Sequence, residues 1–465
     1  MAKIQICNRI QRLQTVVRHL KSVVQPEKLQ IQHTCLSSTT TSGAPSIMVE
    51  PRVALYDEEV RISLHNFPPQ AKVTLHGQVV QLHSKIAFAS CGHYLSNKSG
   101  QIDLCTDASQ GGTYSGVEPM GFLWSLQSAP GHPRDTRMTI NITNAPYIVT
   151  LKAYIGHLNL DQIYSSKEGQ EEVLAGPPVA QIELERFCKA QGVVRHEVEE
   201  GNVRGALYLP AGEGPFQGVI DMFGSSGGLI EYRSALLASR GFAALSLAYF
   251  KYKDLQDHLY DLKYEYFEES INWLTNHPKV VGSGVGVIAV SKGTENALLM
   301  GAYSPKVTAV VAINGYCFAT VGNFLRNNQV ILNATEMDLE KVKATEEGFD
   351  LRDIMSETSD IIPVWQGKAK YLFFESLDDY QNKRDAHKDL LAKCPEWKQK
   401  DIQVVQYEGA GHLLEPPYTP LCRSSVNKGI GLKMKWGGQP KEHAYAQIDA
   451  WQRTLQFLRL HIPDS

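Results

Sequence analysis

Ala289-Val290-Ser291-Lys292-Gly293 follows an apolar run and precedes a stretch of helical character, Thr294 to Tyr303. This is how a strand-to-helix turn that presents a serine as a nucleophile is written. The turn needs small residues two before and two after the serine, because larger side chains would collide with neighbouring backbone. Gly293 meets that need, and Ala289, where glycine is usual, meets it with a methyl. A serine capping a helix would give the same five residues, so support has to come from elsewhere in the chain. A serine hydroxyl is a weak nucleophile near neutral pH and needs a base. The base needs an acid that fixes its tautomer and stabilises its cation. Sites of this kind present the three in the order serine, acid, histidine. Asp378-Asp379 comes just beyond the apolar stretch Tyr371 to Phe374, and Gly409-Ala410-Gly411-His412 follows Ile402 to Tyr407. The spacing predicts Ser291 as nucleophile, His412 as general base and Asp379 as the acid behind it, all at strand ends along one sheet edge.

Attack by serine on a carbonyl also needs donors for the oxyanion. The N–H of Lys292, just after the nucleophile, is one candidate. The second is expected from the loop Phe223-Gly224-Ser225-Ser226-Gly227-Gly228, whose glycines let backbone approach a substrate closely. The amides of Ser225 and Ser226 are both candidates.

These positions need a scaffold. From about Val193 onward, short apolar runs alternate with helical patterns. The runs are Phe216 to Phe223, Gly241 to Phe250, Val285 to Val290, Val307 to Ile313, Tyr371 to Phe374 and Ile402 to Tyr407. Phe267, Ile271 and Leu274 mark one face of a helix, and Ile448, Trp451, Leu455 and Leu458 mark a final one. Apolar strands alternating with helices predict a mostly parallel sheet flanked by helices, the α/β-hydrolase arrangement. From about Val53 to Tyr154 the rhythm is different. Val60, Ile62 and Leu64, then Val73 and Leu75, then Met138, Ile140 and Ile142, then Val149, Leu151 and Ala153 alternate with other residues between turn signals. This predicts an N-terminal β-sandwich. Residues 165–178 read as a linker, and the expected division is 1–46, 47–186 and 187–465.

Composition narrows the function classes. Hydrophobic residues make up 43% of the 465, charged residues 20%, and the formal charge is −3. No basic block suggests a nucleic-acid partner. No apolar run approaches the roughly 20 residues of a membrane-spanning helix. The eight cysteines form no C-x-x-C pair and have no histidine beside them at metal-ligand spacing, so reduced thiols and no metal or cofactor are expected. The first 46 residues set Lys3, Arg9, Arg12, Arg18, Lys21 and Lys28 against the single acid Glu27, with Ile6, Ile10, Leu13, Val17 and Leu20 on one helical face and serines and threonines after. That is the composition of a mitochondrial transit segment, and it predicts the matrix, with the cytosol as the alternative. Pro463-Asp464-Ser465 is not a peroxisomal tripeptide. A monomer is expected.

Several stretches resemble the type I acyl-CoA thioesterase and bile acid-CoA:amino acid N-acyltransferase family. They are Ile220 to Gly224 with the loop after it, Gly241 to Ala243 through Ala248-Tyr249, Ser291 to Gly293, Ala312 to Gly315, and Gly411 to Tyr418, which is the most specific. Trp436-Gly437-Gly438, His443-Ala444, Ala450-Trp451, Val117 to Gly121 and Leu123-Trp124 extend the resemblance from about residue 47 to the end. It implies a β-sandwich packed on an α/β-hydrolase domain, a long-chain acyl-CoA substrate, and an acid on the second of the paired aspartates, Asp379. It also implies serine at the nucleophile position in the thioesterases and cysteine in the bile acid transferase, so Ser291 points to hydrolysis. The alternatives are transfer to glycine or taurine, a carboxylesterase on other esters, and a binding protein without activity. Lys292, Lys433 and Lys435 are placed to meet CoA phosphates but read more simply as solvated charge. Residues 316–368, which carry little pattern, are expected to shape the acyl cavity.

Overall fold

The period-two alternation of the N-terminal part builds two sheets. Ser46–Glu50, Arg61–His65 and Ile102–Asp103 form one of three strands; Val53–Leu55, Ala180–Phe187, Tyr147–Ile155, Lys72–Val80, Ala87–Leu95 and Gln127–Ser128, in that spatial order, form one of six. The inward residues Ile62, Leu64, Val73, Leu75, Val149, Leu151 and Ala153 are all buried in one apolar cluster. This computed structural model describes residues 43–139, 145–164 and 176–464. Ile140 and Ile142, residues 1–42 of the basic N-terminal segment and residues 165–175 of the expected linker lie outside the described residues. The strand Ala87–Leu95, Ala-Phe-Ala-Ser-Cys-Gly-His-Tyr-Leu, has no clean alternation because eight of its nine residues are not exposed and seven are buried; a central strand covered on both sides loses the pattern.

The C-terminal part is one eight-stranded sheet. Its strands are β1 (Val194–Glu200), β2 (Val203–Leu209), β3 (Phe216–Met222), β4 (Ala243–Leu247), β5 (Val280–Val290), β6 (Val307–Ile313), β7 (Lys370–Ser376) and β8 (Ile402–Tyr407), in the order β1-β2-β4-β3-β5-β6-β7-β8. β2 runs antiparallel to both neighbours, and from β4 onward every pair is parallel. This is an α/β-hydrolase sheet. Its strands read as continuous apolar runs because successive residues feed opposite cores. Val219, Ile288, Val311 and Leu372 face α1 (Tyr232–Ser239) and α4 (Pro440–His461). Ile220, Val287, Val310 and Phe373 face α2 (Tyr264–Thr275) and α3 (Lys292–Tyr303). Phe267, Ile271 and Leu274 of α2 are fully buried, as are Leu298 and Leu299 of α3.

Residues 316–368 form short pieces that pair with other parts of the chain. Phe324–Arg326 joins Leu262–Lys263 and Gln329–Leu332, and Gly348–Asp350 lies beside Leu432–Lys435. The strands are only three or four residues long, too short to set up a readable period, and two of their partners, Leu262–Lys263 and Leu432–Lys435, are distant in sequence.

Candidate active site

β5 ends at Val290 and α3 begins at Lys292, so the turn between them is Ser291 alone, at φ 57° and ψ −130°. A non-glycine residue held in such a region costs about 1–3 kcal/mol. Close packing of small residues holds it there. A Cβ on Gly293 would lie 2.7 Å from the Phe223 carbonyl oxygen, one on Gly224 would lie 2.8 Å from Ser291 Cβ, and one on Gly315 would lie 2.7 Å from the Ser291 carbonyl oxygen. Ala289 is fully buried and its methyl would stand 3.4 Å from a Cβ at 293, ordinary contact, so alanine serves where glycine is usual. The Ser291 N–H donates to the Ile313 carbonyl at 2.8 Å and locks the turn to β6.

The other two expected residues arrive from the loops after β7 and β8. His412 Nε2 is 3.0 Å from Ser291 Oγ, and His412 Nδ1 is 2.7 Å from Asp379 Oδ2. Both side chains are almost wholly buried. With the proton on Nδ1, the imidazole donates to Asp379 and keeps Nε2 for the Ser291 proton. Asp379 Oδ1 accepts from the N–H groups of Gln381 and Asn382 at 2.6 and 3.3 Å, which fixes the carboxylate plane. Asp378 does different work: its Oδ2 accepts from the Gly438 N–H at 3.0 Å.

Three residues that sequence reasoning passed over hold this pair. Asn314, at the end of β6, donates from Nδ2 to Ser376 Oγ at 2.9 Å and to the His412 carbonyl at 2.8 Å, and its Oδ1 accepts from the Ser376 N–H at 2.8 Å. It ties β6, β7 and the histidine loop together. Trp436 stacks on the His412 ring, with centroids 5.5 Å apart and planes 16° apart, and its carbonyl accepts the His412 N–H at 2.9 Å. His443 of α4 accepts the Gly411 N–H at Nδ1, 3.1 Å away. Burial lowers its pKa to about 4, against a smaller opposing pull from the Leu413 carbonyl. It is therefore neutral, as an accepting Nδ1 requires. All three lie in stretches that carry the family resemblance; that was the one signal available for them.

Phe223, Gly224, Ser225, Ser226, Ile230, Val290, Ser291, His412, Leu413, Leu414, Asn427 and Trp436 line a cleft together with Arg137, Tyr232, Arg233 and Glu415. Ser225 and Ser226 therefore line the same cleft as Ser291, and the N–H of Lys292 belongs to the first turn of α3, where backbone donors have no partner within the helix. Arg137 comes from the N-terminal part and pairs with Glu415, which also accepts from the Tyr232 hydroxyl at 2.5 Å. No residue of 316–368 is among those that line this cleft. The solvated reading is corrected for Lys292, while Lys433 makes a surface ion pair. Lys292 is buried in an ion pair with Glu295, donates to the Val321 carbonyl at 3.1 Å and lies 5.0 Å from the Phe324 ring. Lys433 pairs with Asp135, and Lys435 pairs with Glu347 at 2.9 Å. Among the described residues, Glu375, Asp385 and His387 bring three metal-competent side chains together. Glu375 is already engaged by the His387 N–H at 2.8 Å and Gln406 Nε2 at 3.1 Å, and Asp385 by Lys388 at 2.8 Å.

Comparison with known proteins places the chain among relatives. Residues 57–200 match the acyl-CoA thioester hydrolase/BAAT N-terminal region, and residues 262–464 match the BAAT/acyl-CoA thioester hydrolase C-terminal region. Acyl-coenzyme A thioesterase 3 of Mus musculus is 35% identical over 92% of this chain and 97% of its own. Mitochondrial acyl-coenzyme A thioesterase 2 of Homo sapiens is 35% identical over 90% and 85%. Bile acid-CoA:amino acid N-acyltransferase of Homo sapiens is 37% identical over 89% and 97%. Among solved structures, a putative dienelactone hydrolase from Klebsiella pneumoniae is 15% identical over 58% of this chain and 99% of that chain, with a TM-score of 0.39. With both halves matched in order and full-length members matched almost end to end, this chain belongs to the acyl-CoA thioester hydrolase/BAAT family.

Proposed function

We propose that this protein hydrolyses long-chain fatty acyl-CoA thioesters to free fatty acid and CoA through an acyl-enzyme on Ser291. The observation that carries the reading is the hydrogen-bonded series from Ser291 Oγ through His412 to Asp379, set in a cleft where Phe223, Ile230, Val290, Leu413 and Leu414 stand beside Arg137, Arg233 and Glu415. Ser291 Oγ attacks the thioester carbonyl as His412 Nε2 takes its proton, and the oxyanion meets the N–H of Lys292 and of Ser225 or Ser226. The C–S bond breaks and CoA leaves as a thiolate, a better leaving group than an amine, so His412 has little acid work in this half; the proton it took from Ser291 passes to the departing sulfur or to solvent, which frees Nε2 for the second half. His412 then takes a proton from water, the hydroxide adds to the acyl carbon, and the ester bond to Ser291 breaks as its oxygen regains the proton. Water and acyl-CoA supply every atom, so no cofactor enters.

Serine at the nucleophile position favours water as the acceptor. The relatives that transfer the acyl group to an amino acid keep the rival reading in view. In the same proposal, the two N-terminal sheets form a β-sandwich domain, residues 47–186, ahead of a catalytic domain, residues 187–465. The protein is a monomer, and residues 1–46 address it to the mitochondrial matrix.

The test is thiol release from palmitoyl-CoA, with and without glycine or taurine, for the wild type and Ser291→Ala. Acceptor-independent release that is lost in the variant, by about 10⁶-fold in kcat if the three residues act as one device, supports hydrolysis. Acceptor-dependent release with an amide product means transfer. Turnover of oxygen esters alone means a carboxylesterase, and no turnover or fluorophosphonate labelling means a binding protein.

A further inference from the structure

Phe223 and Gly224 form a wall shared by two hollows. On one side lies the cleft with Ser291 and His412; on the other lies a smaller hollow lined by Tyr249 and Phe250. Gly224 approaches Ser291 so closely that a Cβ would stand 3.2 Å from Ser291 Oγ. From the far side, the Tyr249 hydroxyl donates to the Phe223 carbonyl at 2.6 Å and reaches the Gly224 carbonyl at 3.2 Å. Burial, with the nearby Glu295, raises the pKa of this phenol, so it stays a donor across the working pH range. A trans peptide is planar, and its C=O and N–H point in opposite directions. A Gly224 carbonyl drawn toward Tyr249 therefore turns the Ser225 N–H toward the Ser291 cleft. Among the described residues neither the Ser225 nor the Ser226 N–H has a protein acceptor, and no side chain anchors the Ser225 carbonyl that governs the Ser226 amide.

We propose that Tyr249 is a positioning residue that aims the Ser225 N–H as the second oxyanion donor, beside that of Lys292. The inference rests on the serine-nucleophile reading and deepens it. The hydroxyl never touches the substrate; it acts through the peptide it holds. Its removal should therefore weaken binding of a tetrahedral oxyanion and leave binding of the ground state unchanged.

The experiment compares Tyr249→Phe with the wild type in three readouts: kcat and KM for palmitoyl-CoA, inhibition by a long-chain trifluoromethyl ketone that Ser291 converts to an anionic adduct, and binding of S-hexadecyl-CoA, which has no carbonyl. A fall in kcat of about 10- to 100-fold is expected, since deleting an oxyanion donor outright costs about 10²–10³ and this change only loosens one. The ketone should weaken by the same factor, while S-hexadecyl-CoA affinity stays within about twofold. Unchanged kcat, or equal weakening of all three, overturns the proposal. If Tyr249→Phe does not fold, glyceric acid placed at 225 or at 226 by an acylated suppressor tRNA decides. Loss with the ester at 225 and not at 226 supports the proposal, and the reverse overturns it. Ser291→Ala runs beside these. If it keeps activity, the nucleophile reading fails and takes this inference with it; if it is inactive while Tyr249→Phe turns over normally, this inference alone fails.

Discussion

The two sides of the site are held by different physics. The Ser291 side is steric. Ser291 keeps its conformation because Gly224, Gly293 and Gly315 leave room for backbone to close around it, and the turn is complete within a few residues of β5 and α3. The side of Asp379 and His412 is polar. Asp379 and His412 sit on loops, and hydrogen bonds donated by Gln381, Asn382 and Asn314 and accepted by Trp436 and His443 place them. A strand-to-helix turn can build a site from its own small residues. A loop after a strand has to borrow its rigidity from distant parts of the chain.

That contrast can be broken, or sharpened, by substitution. The largest effect should separate two neighbours on the polar side. Asp379→Asn, which forces the wrong imidazole tautomer, should lower kcat by about 10⁴-fold, while Asp378→Asn, which keeps an acceptor for Gly438, should stay within a few-fold. Steady-state kinetics on both variants tests this, and equal losses would sink the distinction. On the steric side, Gly293→Ala drives a methyl into the Phe223 carbonyl. It should cost about 10²-fold in kcat through a displacement of the order of 1 Å. Near-normal turnover would mean that the elbow tolerates bulk and is not sterically built. Asn314→Ala should be milder in rate, about 10-fold, but should lower unfolding free energy by about 1–3 kcal/mol, because Ser376 and the His412 carbonyl lose a buried partner. Denaturant melts beside kinetics separate the two effects.

His443 gives a pH signature. Its folded pKa, about 4, lies below the ordinary histidine value, so the unfolded chain binds more protons between about pH 4 and 6.5. Its contribution to stability is complete above that window and is lost as pH falls through it. The loss between about pH 7 and 5 should be on the order of 2 kcal/mol. His443→Asn should flatten that part of the stability–pH curve, and an unchanged slope would show that the ring is not held neutral.

The same contrast explains what the sequence made legible. The elbow is local, so Ser291 and its flanking glycines could be read directly, and Asp379 and His412 could be placed by chain order after β7 and β8. The parallel sheet was legible for a related reason: strands buried on both faces leave continuous apolar runs such as Val307 to Ile313. Asn314, Trp436 and His443 carry no local pattern, because their roles exist only once two loops and α4 meet. Lys292 was misread because its acidic partner, Glu295, becomes an enclosed partner only when Val321 and Phe324 fold over it. Arg137 reaches the cleft from more than 150 residues before the nucleophile, a convergence no periodicity encodes.

The left-handed backbone at Ser291 has a consequence for how this sequence can drift. Glycine would adopt that conformation without strain, so Ser291→Gly should leave a protein as stable as the parent, or more stable by about 1 kcal/mol, and unable to form an acyl-enzyme. Selection for folding alone would therefore carry this position toward glycine. Serine at this position runs against the direction that stability prefers.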